Sequence, residues 1–226
     1  MCPMRTAITE FFHRDHIRMR IALSVIGVAI CGIAVGFFKF AMFGVDPFTS
    51  FMCGLDEVVP IQYGTLYVIA NAVLLIFSLI FDRHYVGLGT ILNLFFVGYL
   101  AQFTEGLLIR VAPEGMIAAR IICLIIGVLM LSFSAALYMP ADLGVSTYDA
   151  VALIIANTWK KGKFKYVRVI TDFVCVILGT ILFLTSGQPV KMLPTIVGIG
   201  TLITAFCMGP LIVFFTQRFT KKYLLK

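Results

Sequence analysis

Charge is what this sequence has least of. Only 13% of its 226 residues are charged and 61% are hydrophobic, whereas a soluble domain carries about 25% charged residues and about 45–50% apolar ones. No water-soluble core of this size hides such an excess. Catalytic and metal-binding patterns are missing too. The six cysteines (Cys2, Cys31, Cys53, Cys123, Cys175, Cys207) form no CxxC pair, and His13, His16 and His84 lie in polar flanks without an HExxH arrangement. No Ser-His-Asp or Cys-His set can be assembled from the spacing. The reading is therefore not an enzyme, with no cofactor and no metal. A secretory signal is also missing, since Met1–Arg20 is polar and basic and lacks a small-residue cleavage site. The net charge of +7 does not mark a nucleic-acid binder, because Lys and Arg gather at chain ends and in loops, where cytoplasmic anchoring of a membrane protein needs them.

What is present is long apolar runs. They cover about Ile21–Phe43, Tyr63–Phe81, Val86–Phe103, Ala118–Tyr138, Lys165–Leu184 and Pro194–Phe215. A helix crosses a hydrocarbon core about 30 Å thick in roughly 20 residues, so each of these runs fits one crossing. Two shorter segments, about Asp46–Val58 and Ser146–Trp159, are too short for an untilted crossing and read as half-helices or re-entrant segments. The expected fold class is an all-α polytopic membrane protein with six full transmembrane helices plus two short ones.

The sequence also repeats itself. A shift of 100 residues lays Arg20, Gly27, Val28 and Ala41 on Arg120, Gly127, Val128 and Ala141, and Gly44-Val45 on Gly144-Val145. A shift of 101 lays Asn71 on Asp172, and a shift of 111 lays Val86-Gly87-Leu88-Gly89-Thr90 on Val197-Gly198-Ile199-Gly200-Thr201. Matched glycines and threonines are harder to obtain by chance than matched Ile, Leu or Val. The reading is an internal duplication: repeat 1 over residues 20–108 and repeat 2 over 118–216, preceded by a cytoplasmic amphipathic segment (1–19) and followed by a basic cytoplasmic tail (217–226). Three crossings per repeat make the copies inverted. The alternative, in which the short segments also cross, gives eight spans and parallel repeats. In both, the N-terminus, the Lys160–Lys165 loop with Arg168, and the C-terminus are cytoplasmic; Arg83 is cytoplasmic only in the six-span case, and Arg110 and Arg120 only in the eight-span case.

The candidate site follows from the two short segments. Gly44-Val45-Asp46-Pro47-Phe48-Thr49-Ser50 offers Asp46 as N-cap and Pro47 as first helical residue; Gly144-Val145-Ser146-Thr147-Tyr148-Asp149 offers Ser146 as N-cap with Asp149 three residues on. A helix that starts within a bilayer exposes unpaired N–H groups and about half a positive charge, which must face protein or a water-filled cavity. Two such starts meeting at the repeat interface would form a polar, anion-attracting site; the other reading is that they only turn the chain at the surface. Asp172, with Asn71 in the matching place, lies within a crossing and reads either as solute contact or proton coupling, or as an interhelical bond or a pair with Arg168. Asn93 and Thr204 are candidates to line a cavity. Substrate-binding candidates are thus Gly44, Asp46, Thr49, Asn71, Asn93, Gly144, Ser146, Asp149, Asp172 and Thr204. The paired Gly-x-Gly-Thr stretches read as helix packing, with Thr bonding across, since no strand precedes them and no Lys follows. Lys39 reads as snorkelling, or as a partner for Asp46 or an anion.

The Gly44-Val-Asp-Pro-Phe-Thr-Ser turn and the Val86-Gly-Leu-Gly-Thr stretch, with their echoes, resemble the YczE/YyaS/YitT group of bacterial membrane proteins from Arg20 to Phe215. The resemblance implies a bacterial inner-membrane location and carries over no site residue. The expected function is a small transporter or channel-like protein for an unidentified small solute or ion, with the lipid bilayer as its surroundings. Alternatives are a substrate-binding membrane subunit of a multi-component transporter, or an accessory or regulatory protein with a cytoplasmic partner at the Lys160–Lys165 loop. No nucleic-acid partner is expected.

Overall fold

The computed structural model describes residues 17–111, 116–141, 143–162 and 164–220. The N-terminal amphipathic segment up to residue 16, Lys163, and the basic tail from residue 221 onward lie outside the described residues.

The described residues form eight helices joined by short turns: α1 (Ile17–Ala41), α2 (Pro47–Val58), α3 (Tyr63–Phe81), α4 (Leu88–Val111), α5 (Ile117–Tyr138), α6 (Thr147–Leu153), α7 (Phe164–Thr185) and α8 (Ile199–Phe215). Tighter turns over Arg83–Tyr85 and Val190–Thr195 precede α4 and α8, and α6 widens into a π turn over Ile154–Thr158. Six segments are long and apolar enough to cross a membrane: α1, α3, α4, α5, Tyr166–Thr185 of α7, and Val190–Met208, which joins the turn before α8 to its first half. At 12 and 7 residues, α2 and α6 are not among them. The chain is a six-crossing all-α membrane protein. Its outward side chains agree: Val73 is 62% exposed, Phe103 68% and Phe206 76%, a surface that only hydrocarbon covers without cost.

α1 is the central post, packed along both α4 and α5. Small residues let the backbones approach. A Cβ on Gly32 would lie 2.6 Å from Cβ of Leu100, and one on Gly36 would lie 2.6 Å from Cβ of Thr104. On the other side, Ser134 Oγ donates to the Gly27 carbonyl at 2.7 Å, tying α5 to α1. The short helices pack crosswise: α2 lies against α7, and α6 against α3. Gly54 and Gly179 make the first of these crossings possible, since a Cβ on Gly54 would lie 2.9 Å from Cα of Gly179. Gly54→Val is expected to lower unfolding stability by about 1–3 kcal/mol through overpacking, read as a lower midpoint in detergent-micelle denaturation. An unchanged midpoint would refute this crossing.

Two turns lock the bundle. Gly44 and Gly144 hold φ of +94° and +96°, which side chains rarely tolerate. Val45 N–H donates to the Ile196 carbonyl at 3.1 Å, and Gly200 N–H to the Phe43 carbonyl at 2.6 Å. At the other turn, Val145 N–H donates to the Tyr85 carbonyl at 3.1 Å, and Gly89 N–H to the Leu143 carbonyl at 2.8 Å. Each turn therefore docks on the start of a late helix from the opposite half of the chain, by the same kind of bond. Thr90 Oγ1 adds a 2.7 Å bond to the Val145 carbonyl, so the threonine does bond across. The glycines of the Gly-x-Gly-Thr stretches make room for the incoming turn: a Cβ on Gly87 would collide with the Leu143 carbonyl.

Candidate functional site

The helix starts fold as their residues dictate. Asp46 caps α2 by accepting from Thr49 N–H at 3.2 Å, with Pro47 in the first turn. Ser146 caps α6 by accepting from Asp149 N–H at 3.1 Å. The Asp149 carboxylate differs from a standard capping box: it accepts from the Ser146 hydroxyl at 2.6 Å, not from the cap's backbone.

The two starts meet. The Phe48 and Tyr148 rings stack at 5.0 Å with planes 22° apart, and Phe48 also meets Tyr67 edge-on at 5.8 Å. Beside this pair lies an ion cluster. Arg168 of α7 pairs with Asp149 and, through Nε at 3.3 Å, with Oδ1 of Asp172 one turn along. Its guanidinium lies 4.3 Å from the centre of the Tyr148 ring. Tyr138 OH donates to Asp149 at 2.9 Å, and Tyr148 OH donates to Asp172 at 2.6 Å. The Asp149 side chain is 5% exposed and that of Asp172 23%, so Asp149 is the more enclosed partner. Both its oxygens are engaged, Oδ1 by Arg168 and Oδ2 by two hydroxyls. Arg168 thus does not stand among the free flanking positive charges. Two carboxylates draw it inward, which offsets the loss of hydration that a lone guanidinium would suffer.

Asn71 joins the same centre from α3. Its side-chain oxygen accepts from the Thr147 hydroxyl, and its amide donates to the Tyr67 carbonyl at 2.8 Å. The structure therefore gathers Asp46, Thr49, Asn71, Ser146, Asp149 and Asp172 around the two helix starts. Gly44 and Gly144 serve there as turns, their neighbours being the starts of α8 and α4. Thr204 is spent on its own helix, donating to the Thr201 carbonyl at 2.9 Å. Asn93 is buried on α4, and its side-chain oxygen has no partner. Lys39 pairs with Glu105 at 2.7 Å and lies 3.8 Å from the centre of the Tyr63 ring. Its ion-pair partner is a carboxylate on a neighbouring crossing helix, not Asp46.

Tyr138 and Tyr148 are cluster members that sequence reasoning did not place in the site, and Arg168 was offered only as a pair for Asp172, which it does make. For Tyr148 a signal existed: it stands 100 residues after Phe48, and the two rings touch. On the outer side of that pair, a cavity of about 470 Å³ opens between α3 and α7, lined by apolar groups including Ile69, Val73, Val174 and Leu178. The exposed turn before α4 is tied to the end of α6, with Thr158 Oγ1 donating to Asp82 at 2.6 Å. That bond, with the His84 N–H, holds the Asp82 carboxyl below its ordinary range.

Residues 18–217 match the model of a family of unknown function, DUF6198. An uncharacterized protein of Haemophilus influenzae is 27% identical over 196 residues, covering 86% of this chain and 82% of the relative. The uncharacterized membrane protein YczE of Bacillus subtilis is 25% identical over 167 residues, covering 74% of this chain and 70% of the relative. No solved structure matches.

Proposed function

We propose that this chain, which belongs to the DUF6198 family of unknown function, is a small transporter or channel-like protein whose solute site lies between two inverted copies of one unit. The observation that carries the reading is the meeting of α2 and α6 at the Phe48–Tyr148 stack beside a buried ion cluster. Charges inside a crossing bundle are costly and are found chiefly along solute and proton paths. A bundle that needed only stability would be served as well by apolar residues of similar volume. Half-helices that start inside the bundle and meet between repeats are the usual way transporters build such a site. The duplication is supported by the matching turn bonds: residues 45 and 145 donate to 196 and 85, partners 111 residues apart, as in the sequence register. We place the chain in a bacterial inner membrane with both termini cytoplasmic, on the side holding the Lys160–Lys165 loop. No catalytic role is proposed.

The test is flux through purified protein in liposomes, across alkali cations, protons, amino acids and small organic acids. The expected result is flux above that of empty liposomes for at least one solute, reduced at least about tenfold by Asp149→Asn. Silence across the panel, with a soluble protein always co-purifying through the Lys160–Lys165 loop, would replace transport by an accessory role.

A further inference from the structure

The ion cluster is short of positive charge. Asp149 and Asp172 share one guanidinium, and a third carboxylate, Asp46, starts the neighbouring helix with no ion-pair partner among the described residues. One oxygen of Asp46 caps α2 through Thr49 N–H. The other, Oδ2, is buried and has no hydrogen-bond partner. The Tyr63 hydroxyl, which interacts electrostatically with Asp46, is likewise buried without a partner. Tyr63 itself is 3% exposed, so this is an enclosed polar interior and not a surface.

The groups around Asp46 come from several helices. Cys31 of α1, Cys53 of α2, and Tyr63 and Tyr67 of α3 interact with it and carry no charge while protonated. From α7 come Arg168, Asp172 and Cys175. The α6 carboxylate, Asp149, takes up the Arg168 end that faces it. Farther along the same interior, Lys39 is taken by Glu105. Two carboxylates thus share the single charge of Arg168, and Asp46 is left with no ion pair of its own among the described residues. A buried carboxylate without a counter-charge gives up its charge before it gives up the fold.

We propose that Asp46 holds a proton and is the proton-exchanging carboxylate of the interior. Asp172 differs from it in being ion-paired with Arg168 and bonded by Tyr148. The inference deepens the transport reading by naming its coupling ion, yet its test needs no flux.

The O–H of a protonated carboxyl in apolar surroundings adds across a C=N bond of dicyclohexylcarbodiimide, and the O-acylisourea formed rearranges by an oxygen-to-nitrogen acyl shift to a stable N-acylurea that mass spectrometry locates. With the purified wild-type protein in liposomes, labelling is expected on Asp46 at neutral pH, falling about tenfold for each pH unit above its titration point. Asp46→Asn removes the label and keeps the fold, because asparagine caps a helix as well as aspartate does. Infrared titration of the wild type gives a second reading: a protonated-carboxyl band that disappears over the same pH range. Labelling confined to Asp149 or Asp172, or neither label nor band at any pH, would overturn the assignment. So would saturable protection of Asp46 by sodium or potassium at fixed pH, which would make the occupant an alkali cation.

Discussion

Gly144→Val is expected to destabilise the protein by about 2–6 kcal/mol. Two costs add at this residue. Its φ of +96° forces a β-branched side chain into backbone strain of about 1–3 kcal/mol. The new Cβ would also lie 2.6 Å from Thr90 Oγ1 and 2.7 Å from Cα of Gly87, and overpacking at such a contact costs about 1–3 kcal/mol more. Gly187 separates the two, because it has a φ of +81° and nothing within 4 Å of an added Cβ. Gly187→Val therefore carries the strain alone. Unfolding midpoints in one detergent would rank the two variants, with Gly144→Val clearly the lower. Equal midpoints would mean that the Gly144 turn does not seat against Gly87.

Removing Arg168 comes next in size. Arg168→Met leaves Asp149 and Asp172 facing each other with no cation, and breaking a buried pair in this way typically costs about 3–5 kcal/mol. The cost is that of stranded carboxylates, not of a lost bond. It should therefore be largely recovered by neutralising them: Arg168→Met with Asp149→Asn and Asp172→Asn is expected to regain most of the stability while remaining silent in flux. Tyr138 and Tyr148 can still bond the two amides, which accept through their oxygens as the carboxylates did. If the triple variant proved less stable than Arg168→Met alone, the cluster would be contributing net stability and its reading as a functional charge site would weaken.

Much of this was legible in the sequence because it is local. Asp46 with Pro47, and Ser146 with Asp149, announce helix starts through spacing alone, and both caps form. The six crossings follow from runs of about 20 apolar residues, which have only one way to satisfy their backbone in lipid. Partnerships between distant segments were harder to see. The Gly-x-Gly-Thr stretches read as helix packing, but their glycines are cut away for a turn from the other half of the chain, which no spacing reveals. Arg168 was legible as a partner for Asp172 one turn away, and that pair forms, but nothing in the spacing showed that it also reaches Asp149. Only the fold places the Asp149 carboxylate above it. Lys39 had an equally near candidate in Asp46, yet helix geometry turns it toward Glu105 on α4, 66 residues away by number. Asn71 and Asp172 were paired by register alone. In space both serve the start of α6, one through Thr147 and the other through Tyr148.

The crossed turns bear on how the molecule holds together. Neither half closes its own seam. The Gly44 hook is caught by an eye at Ile196–Gly200, and the Gly144 hook by an eye at Tyr85–Gly89. The two hooks thus exchange partners across the two halves of one chain. Each half supplies the edge on which the other's hook bonds, so loosening either hook opens a seam between the two. An ion-paired side built on Arg168 and a side with a lone Asp46 are thus held on one interlocked frame.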